Sequence, residues 1–92
     1  MKMNFKERME EIMKLTEFGK FLRKLRIDNG ELLKDMAIKL NTTPAFLSMV
    51  ETGRRSIPKK LEEEIEKSYS CLSLEQKEEL ISILNRTRRS KW

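Results

Sequence analysis

One short segment of the chain combines hydroxyl and cationic side chains that suit contact with phosphate oxygens. Thr43, Ser48 and Thr52 carry hydroxyls that can donate hydrogen bonds. Arg54 and Arg55 follow shortly after them, and a guanidinium group pairs with phosphate through two parallel hydrogen bonds. These residues offer binding through hydrogen bonds and charge, and what they can bind depends on the elements that position them.

Two short helices joined by a tight turn are predicted to hold this segment. In the first helix, Met36, Ala37 and Leu40 fall on one face, and the small Ala37 lets a second helix cross closely. In the second helix, Leu47 and Val50 return to the core three residues apart. The side chains left on its other faces are Thr43, Ala45, Ser48, Met49 and Thr52.

The reversal between the two helices is predicted at Asn41, because asparagine is the commonest substitute for glycine where a helix ends in a residue with positive φ. Thr43 then offers its hydroxyl to the free N–H groups of the second helix. Pro44 fits the first turn because it has no N–H to lose. Gly53 is expected to end the second helix, so the segment has the pattern of a helix-turn-helix.

Read without gaps, residues 16–58 resemble the DNA-binding domain of the phage-repressor-like (Xre/Cro) family. Besides the small and apolar positions named above, the run Val50-Glu51-Thr52-Gly53-Arg54-Arg55 is similar to the family's hydrophobic-Glu-x-Gly-basic signature. The resemblance implies an all-α fold: a compact bundle of five to six short helices of the lambda-repressor-like type, with the helix-turn-helix inside it. It also implies binding to double-stranded DNA.

The rest of the chain is predicted to be helical as well, and further helices are expected to begin near Asn4, Thr16, Pro58 and Ser73. Ser73 and Gln76 have the spacing of a capping box. We expect three parts, namely an additional amphipathic N-terminal helix at 1–15, a helix-turn-helix domain at 16–70, and a C-terminal helix with a basic tail at 71–92.

By resemblance to the family, the residues that contact base edges are Thr43, Pro44, Ala45, Ser48 and Met49. None of them can make the two-pronged hydrogen bond to guanine or adenine that arginine, asparagine or glutamine makes. Hydroxyl contacts and apolar contacts to thymine methyl groups remain. We therefore expect modest direct recognition of bases, with sequence-dependent DNA shape supplying part of the selectivity.

Contacts to the DNA backbone are expected to supply most of the affinity. The candidate phosphate-binding residues are Lys34, Thr52, Arg54, Arg55 and Lys59. Free amides at the start of the first helix of the motif, near Leu32 and Leu33, add a further candidate. Relatives usually have a serine or threonine and a glutamine at these two positions, so the sequence departs from the family there.

The resemblance also implies a structural ion pair between Arg26 and Glu51. A two-pronged pair between a guanidinium and a carboxylate would fix the angle between the helices that carry them. We expect its role to be orientation more than net stability, because desolvation cancels much of the Coulomb gain.

Charge is distributed unevenly along the chain, whose net charge is +5. Residues 16–58 carry eight lysines and arginines against five acidic residues, whereas residues 59–85 carry four against seven. The acidic segment should face away from any polyanion, while the helix-turn-helix and the basic tail can face it. The acidic run also fits a role as a solvated helix face.

Several classes of function are disfavoured by composition. There is no histidine, the one cysteine has no imidazole to activate it, and no glycine-rich phosphate loop occurs, so we expect neither an enzyme nor a metal or other cofactor. A single cysteine suits a reducing compartment, and no apolar run approaches the roughly 18 residues of a membrane span. We expect a cytoplasmic protein with no membrane contact.

Two classes of function stay open. The first is a sequence-specific transcription regulator, a repressor or autorepressor that occupies promoter DNA. The second is a protein-interaction module on the same fold, either an antitoxin that neutralises a partner or an anchor that uses its methionine-rich N-terminal helix as a docking face. Affinity for duplex DNA that falls steeply with salt would separate the first class from the second.

A homodimer is expected for the first class, because two recognition helices about 34 Å apart can read an inverted repeat on one side of the DNA. The candidate interface residues are Leu80, Ile81 and Leu84 of the last helix. The additional N-terminal helix is the alternative interface.

Overall fold

The computed structural model describes residues 15–89, which form α-helices and no strand. The helices are α1 (Glu17–Asp28), α2 (Leu33–Lys39), α3 (Pro44–Glu51), α4 (Lys59–Ser68) and α5 (Leu74–Arg89). The all-α class predicted from the sequence is confirmed for this part of the chain. The expected N-terminal helix lies, apart from Leu15, outside the described residues, as does the tail from residue 90 onward. None of these helices is long and apolar enough to cross a membrane.

The core is built around α1, whose apolar residues recur at helical spacing. Phe18, Phe21, Leu22 and Leu25 are all buried, as their spacing predicts. Every other helix contributes to the same cluster. Its further buried members are Met36, Ala37, Leu40, Leu47, Val50, Leu61, Ile65, Tyr69, Leu72, Leu80, Ile83 and Leu84.

The last helix corrects an expectation from the sequence. Leu80 and Leu84 were candidates for a dimer interface, but both are buried within the protomer together with Ile83, and α5 packs on α1. Residues 74–84 therefore contribute to the same core as residues 16–70. Of the three candidates only Ile81 is exposed, at 58%.

Local capping fixes where the helices begin. The Thr16 hydroxyl accepts the Gly19 N–H at 3.0 Å, as expected of an N-cap. At the start of α5, the Ser73 hydroxyl accepts the Gln76 N–H at 3.1 Å and the Gln76 side chain accepts the Ser73 N–H at 3.0 Å. The predicted capping box is confirmed.

Gly19 lets α1 touch the end of α3 directly. A Cβ atom at this position would lie 2.2 Å from the backbone oxygen of Glu51. That same oxygen accepts hydrogen bonds from the Thr16 N–H and from the Thr16 hydroxyl, each at 3.0 Å. The backbone of α1 thus holds the C-terminal end of α3 in place.

The end of α4 is tied to α2 by a polar cluster around Tyr69. The Tyr69 hydroxyl donates to Glu31 at 2.7 Å, Lys39 forms an ion pair with the same carboxylate, and the Lys39 Nζ lies 4.9 Å from the centre of the Tyr69 ring. Burial, followed by the hydrogen bond to Glu31, raises the pKa of Tyr69 above its usual value. The phenol therefore stays a neutral donor, and the cluster links the C-terminal ends of α2 and α4.

Candidate nucleic-acid interface

The turn between α2 and α3 has the conformation predicted from its sequence. Asn41 has φ 56°, in the left-handed region. Its N–H donates to the Ile38 carbonyl at 3.1 Å, and the Thr42 N–H donates to the Ala37 carbonyl at 2.9 Å. These two bonds form a Schellman motif, which satisfies the last carbonyls of α2 and reverses the chain.

Substitutions of Asn41 should show how much stability depends on the positive φ at this position. We expect Asn41→Ala to lower the free energy of unfolding by about 1 kcal/mol, because a Cβ without a local hydrogen-bonding group disfavours positive φ. Asn41→Gly should leave stability equal or slightly higher. Thermal unfolding of both variants measures the difference, and equal loss in both would contradict the role given to the backbone.

The start of α3 is capped as its sequence predicts. The Thr43 hydroxyl accepts the Phe46 N–H at 3.1 Å, and Pro44 occupies the first helical position. Leu47 and Val50 are buried in the core. The helix is therefore anchored along one side, and its capped N-terminus is held in a defined orientation.

The opposite side of α3 faces outward. Thr43, Pro44, Ala45 and Ser48 are exposed, and Met49 is partly exposed. All five candidate base-contacting residues are thus accessible on the surface of one protomer. The methyl group of Ala45 projects little from the helix, so the backbone can approach a partner surface closely.

Thr52 occupies a different place from the one expected of a phosphate ligand. It is partly buried, and its hydroxyl donates to the Ser48 carbonyl at 3.0 Å, with the Met49 carbonyl 3.3 Å away. The Thr52 hydroxyl therefore closes the end of α3 in this structure. Its role as a phosphate ligand stays a prediction.

The loop after α3 carries the exposed cations. Gly53 has φ 79°, and the Arg54 and Arg55 N–H groups both donate to the Met49 carbonyl, at 2.8 and 3.2 Å. The Arg54 and Arg55 amides are therefore occupied, but both guanidinium side chains are exposed and have no acidic partner among residues 15–89.

Further exposed lysines lie on the neighbouring helices. Lys34 is in the first turn of α2, and Lys59 and Lys60 open α4. None of the three has an ion-pair partner in the described part of the chain. Lys60 was not singled out from the sequence, although its position beside Lys59, before the acidic run, was a usable signal.

The start of α2 differs from the expectation that its first amides are free. Leu32 is exposed and provides no capping group, and its N–H donates instead to the Asp35 carboxylate at 2.9 Å. Leu33 packs against the core. The Leu32 amide, one of those expected to be free at this helix start, is therefore occupied by an acidic side chain.

The structure brings Arg26 and Glu51 together in a buried ion pair. One guanidinium nitrogen contacts Glu51 Oε2, and the other donates to Oε1 at 3.3 Å. The Arg26 Nη1 also lies 3.5 Å from the Met36 sulfur. Among residues 15–88, Glu51 is the only buried charged residue, and the pair joins α1, α2 and the C-terminal end of α3.

Two residues that position the site were missed from the sequence. Gly19 sets the contact between α1 and α3, and an isolated glycine inside a strongly amphipathic helix was the available signal. Asp35 caps α2 from the third helical position, and its spacing from Leu32 was the signal there.

Comparisons of this chain with family models, with curated proteins and with solved structures found no match. Residues 15–89 contain no cluster of acidic or thiol side chains that could hold a metal ion. The arrangement that the described residues do offer is a helix anchored along one side and flanked by exposed cations.

Proposed function

We propose that this chain is a sequence-specific regulator of transcription that binds double-stranded DNA as a homodimer and acts as a repressor. In this proposal α2 and α3 are the helix-turn-helix of a lambda-repressor-like domain, and α3 enters the major groove. An α-helix fits that groove, and its N-terminal residues are the ones that reach base edges.

The observation that supports the proposal most is the arrangement of α3. Its apolar side is locked into the core by Leu47 and Val50, its N-terminal residues are exposed, and the loop that follows presents Arg54 and Arg55 without acidic partners in the described chain. A helix that is held in a fixed orientation, exposes its N-terminal residues and has cations beside it suits binding in a groove of a polyanion such as DNA.

Electrostatics favours the same face. Residues 62–66 of α4, in contrast, contribute four glutamates that phosphate would repel. In this proposal DNA therefore contacts α3 and the cations beside it, and it does not contact residues 62–66.

The bases that α3 would recognise in this proposal follow from its exposed side chains. The exposed residues of α3 can donate from hydroxyls and can contact thymine methyl groups through Ala45 and Met49. We expect sites selected from randomised duplexes to be rich in A·T pairs and to form an inverted repeat. Replacing thymine with uracil at the contacted positions should weaken binding, because only the methyl group is lost.

Salt dependence tests the proposal against a protein-binding role. If about three phosphates per protomer are neutralised in a dimer, log affinity for duplex DNA should fall with log salt at a slope of about −5. A protein partner bound with a shallow salt dependence, and no affinity for any selected duplex at low salt, would favour an antitoxin-like interaction module instead.

Removing the loop cations should weaken binding to all DNA sequences alike. We expect Arg54→Ala and Arg55→Ala each to reduce affinity roughly tenfold and to make the salt slope shallower by about 1. Lys67→Ala, which removes an exposed cation from α4, is the matched control and should change neither quantity. Equal effects at all three positions would show that only total charge matters and would contradict a contact made by this loop.

A further inference from the structure

A surface groove borders the point at which the described part of the chain begins. It lies between the loop after α3 and the C-terminal end of α5, and it has a volume of about 250 Å³. Val50 and Ile57 supply apolar lining, and both also belong to the core or pack against it. The groove is also lined by Thr16, Arg55 and Arg88.

Thr16 determines where the preceding chain meets this groove. Its N–H and its hydroxyl both donate to the Glu51 backbone oxygen, each at 3.0 Å. On the loop side, a Cβ atom added at Gly53 would lie 3.0 Å from the Thr16 methyl carbon. Thr16 is therefore fixed against the loop that carries Arg55. Residues 1–14 lie outside the described part of the chain, and they are joined to it through Leu15 at the wall of the groove.

The sequence just before this wall has the chemistry that the groove would bind. Residues 10–13 read Glu10-Glu11-Ile12-Met13, two carboxylates followed by two apolar side chains. Apolar side chains suit the lining of the groove. A carboxylate suits Arg55, which is exposed and has no acidic partner among residues 15–89.

The chain is long enough for this contact. Gly53 lies beside Thr16, and Arg55 follows two residues later, at most about 7 Å further along the backbone. Glu11 precedes Thr16 by five residues, which span about 17 Å when extended and about 8 Å in a helix. Both lengths match the short path to Arg55.

We propose that residues 10–13 bind in this groove of their own protomer. Ile12 and Met13 cover the apolar lining, and the carboxylates of Glu10 and Glu11 face the Arg55 guanidinium. Because the segment is tethered at the wall of the groove, its effective concentration there is high, which favours it over the same segment of a second copy.

Charge separates this groove from the other apolar groove, which lies between α4 and α5. That groove is lined by Glu62 and Glu66, which would repel the two carboxylates of the segment. Arg88 is already paired with Glu62, so Arg55 is the cation of the first groove that is left for a new acidic partner.

The contact would regulate the loop that follows α3. Arg55 is a residue that the proposed function assigns to a DNA phosphate, and to this extent the inference rests on the proposed function. The acidic segment and the duplex would compete for the same guanidinium. Bound in the groove, residues 10–13 are autoinhibitory, and DNA must displace at least their carboxylates.

Disulfide formation within the full chain tests the contact. In a background with Cys71→Ser, Met13→Cys with Ser56→Cys should form an intramolecular disulfide several times faster than Met13→Cys with Ser70→Cys. Both serines are exposed, but only Ser56 lines the groove, and Ser70 lies beyond the far end of α4. The entropy of loop closure differs little between the two pairs. Equal rates would overturn the contact, and links formed mainly between chains would assign the groove to a second copy instead.

Affinity for a mixed-sequence duplex tests the autoinhibition. Glu10→Gln with Glu11→Gln should raise affinity about two- to fivefold more than Glu78→Gln with Glu79→Gln, which removes the same charge from exposed positions of α5. In an Arg55→Ala background this excess should disappear, because the guanidinium for which the segment competes is absent. Equal gains in the two double variants, or an excess that persists without Arg55, would overturn the autoinhibition.

The two measurements separate this contact from the proposed function, because the disulfide forms without DNA. If residues 13 and 56 link preferentially in a chain that binds no duplex, the groove contact stands and the proposed function fails. If the chain binds duplex DNA and the link shows no preference, the proposed function stands and the groove contact fails.

Discussion

Replacing Gly19 with alanine is expected to lower the free energy of unfolding by about 3 kcal/mol or more. The new Cβ would lie 2.2 Å from the Glu51 oxygen, an atom of the α3 backbone that is itself held by Thr16. No flexible side chain can move aside, so α1 and α3 must separate. Alanine's better helix propensity offsets only about 1 kcal/mol of that cost.

Thermal and urea unfolding of Gly19→Ala measure the effect. Gly30→Ala is the matched control, because the position has φ 65° but nothing within 4 Å of the added Cβ, and it should cost only about 1 kcal/mol. Similar losses at both glycines would show that the close approach of α1 to α3 has no particular importance.

Removing the carboxylate of Glu51 is the second change with a large expected effect. Glu51→Ala leaves the Arg26 guanidinium buried without its partner, and breaking a buried pair in this way costs about 3 to 5 kcal/mol. Affinity for DNA should fall too, because the pair holds the C-terminal end of α3 against α1 and α2. Unfolding and DNA titration of the same variant measure both effects.

Two further variants make this prediction specific. Glu17→Ala breaks an exposed ion pair with Arg86 and should change stability by about 1 kcal/mol or less. Replacing both buried partners, by Arg26→Met with Glu51→Leu, should recover much of the lost stability. An unchanged melting temperature in Glu51→Ala would contradict the role given to the pair.

The local features of α2, α3 and the turn between them were predictable because they depend on single residue types. A left-handed turn needs asparagine or glycine, and Asn41 has the expected φ. A helix start needs a hydroxyl acceptor, and Thr43 caps α3 as expected. The apolar face of α1 followed from spacing alone.

Tertiary choices were harder to predict, and α5 shows why. Its apolar stripe could face the protomer's own core or a second copy, and periodicity is the same in both cases. Leu80 and Leu84 were expected at an interface and lie in the core, while Ile83 was not singled out and is buried.

Contacts that involve backbone atoms were the hardest features to predict from the sequence. Gly19 matters through an atom of Glu51 that is distant along the chain, and Asp35 competes for an amide that an anion could have used. Neither effect can be read from composition, because each depends on which backbone groups the fold brings together.

Mapping the surface that a duplex perturbs tests the central claim most directly. Backbone amide resonances of the full chain would be followed during titration with a duplex selected from a randomised pool. The account predicts the largest shifts over residues 43–55 and at Lys34, with little change on the exposed face of α4. Shifts confined to α4 or α5, with residues 43–55 unmoved, would contradict it.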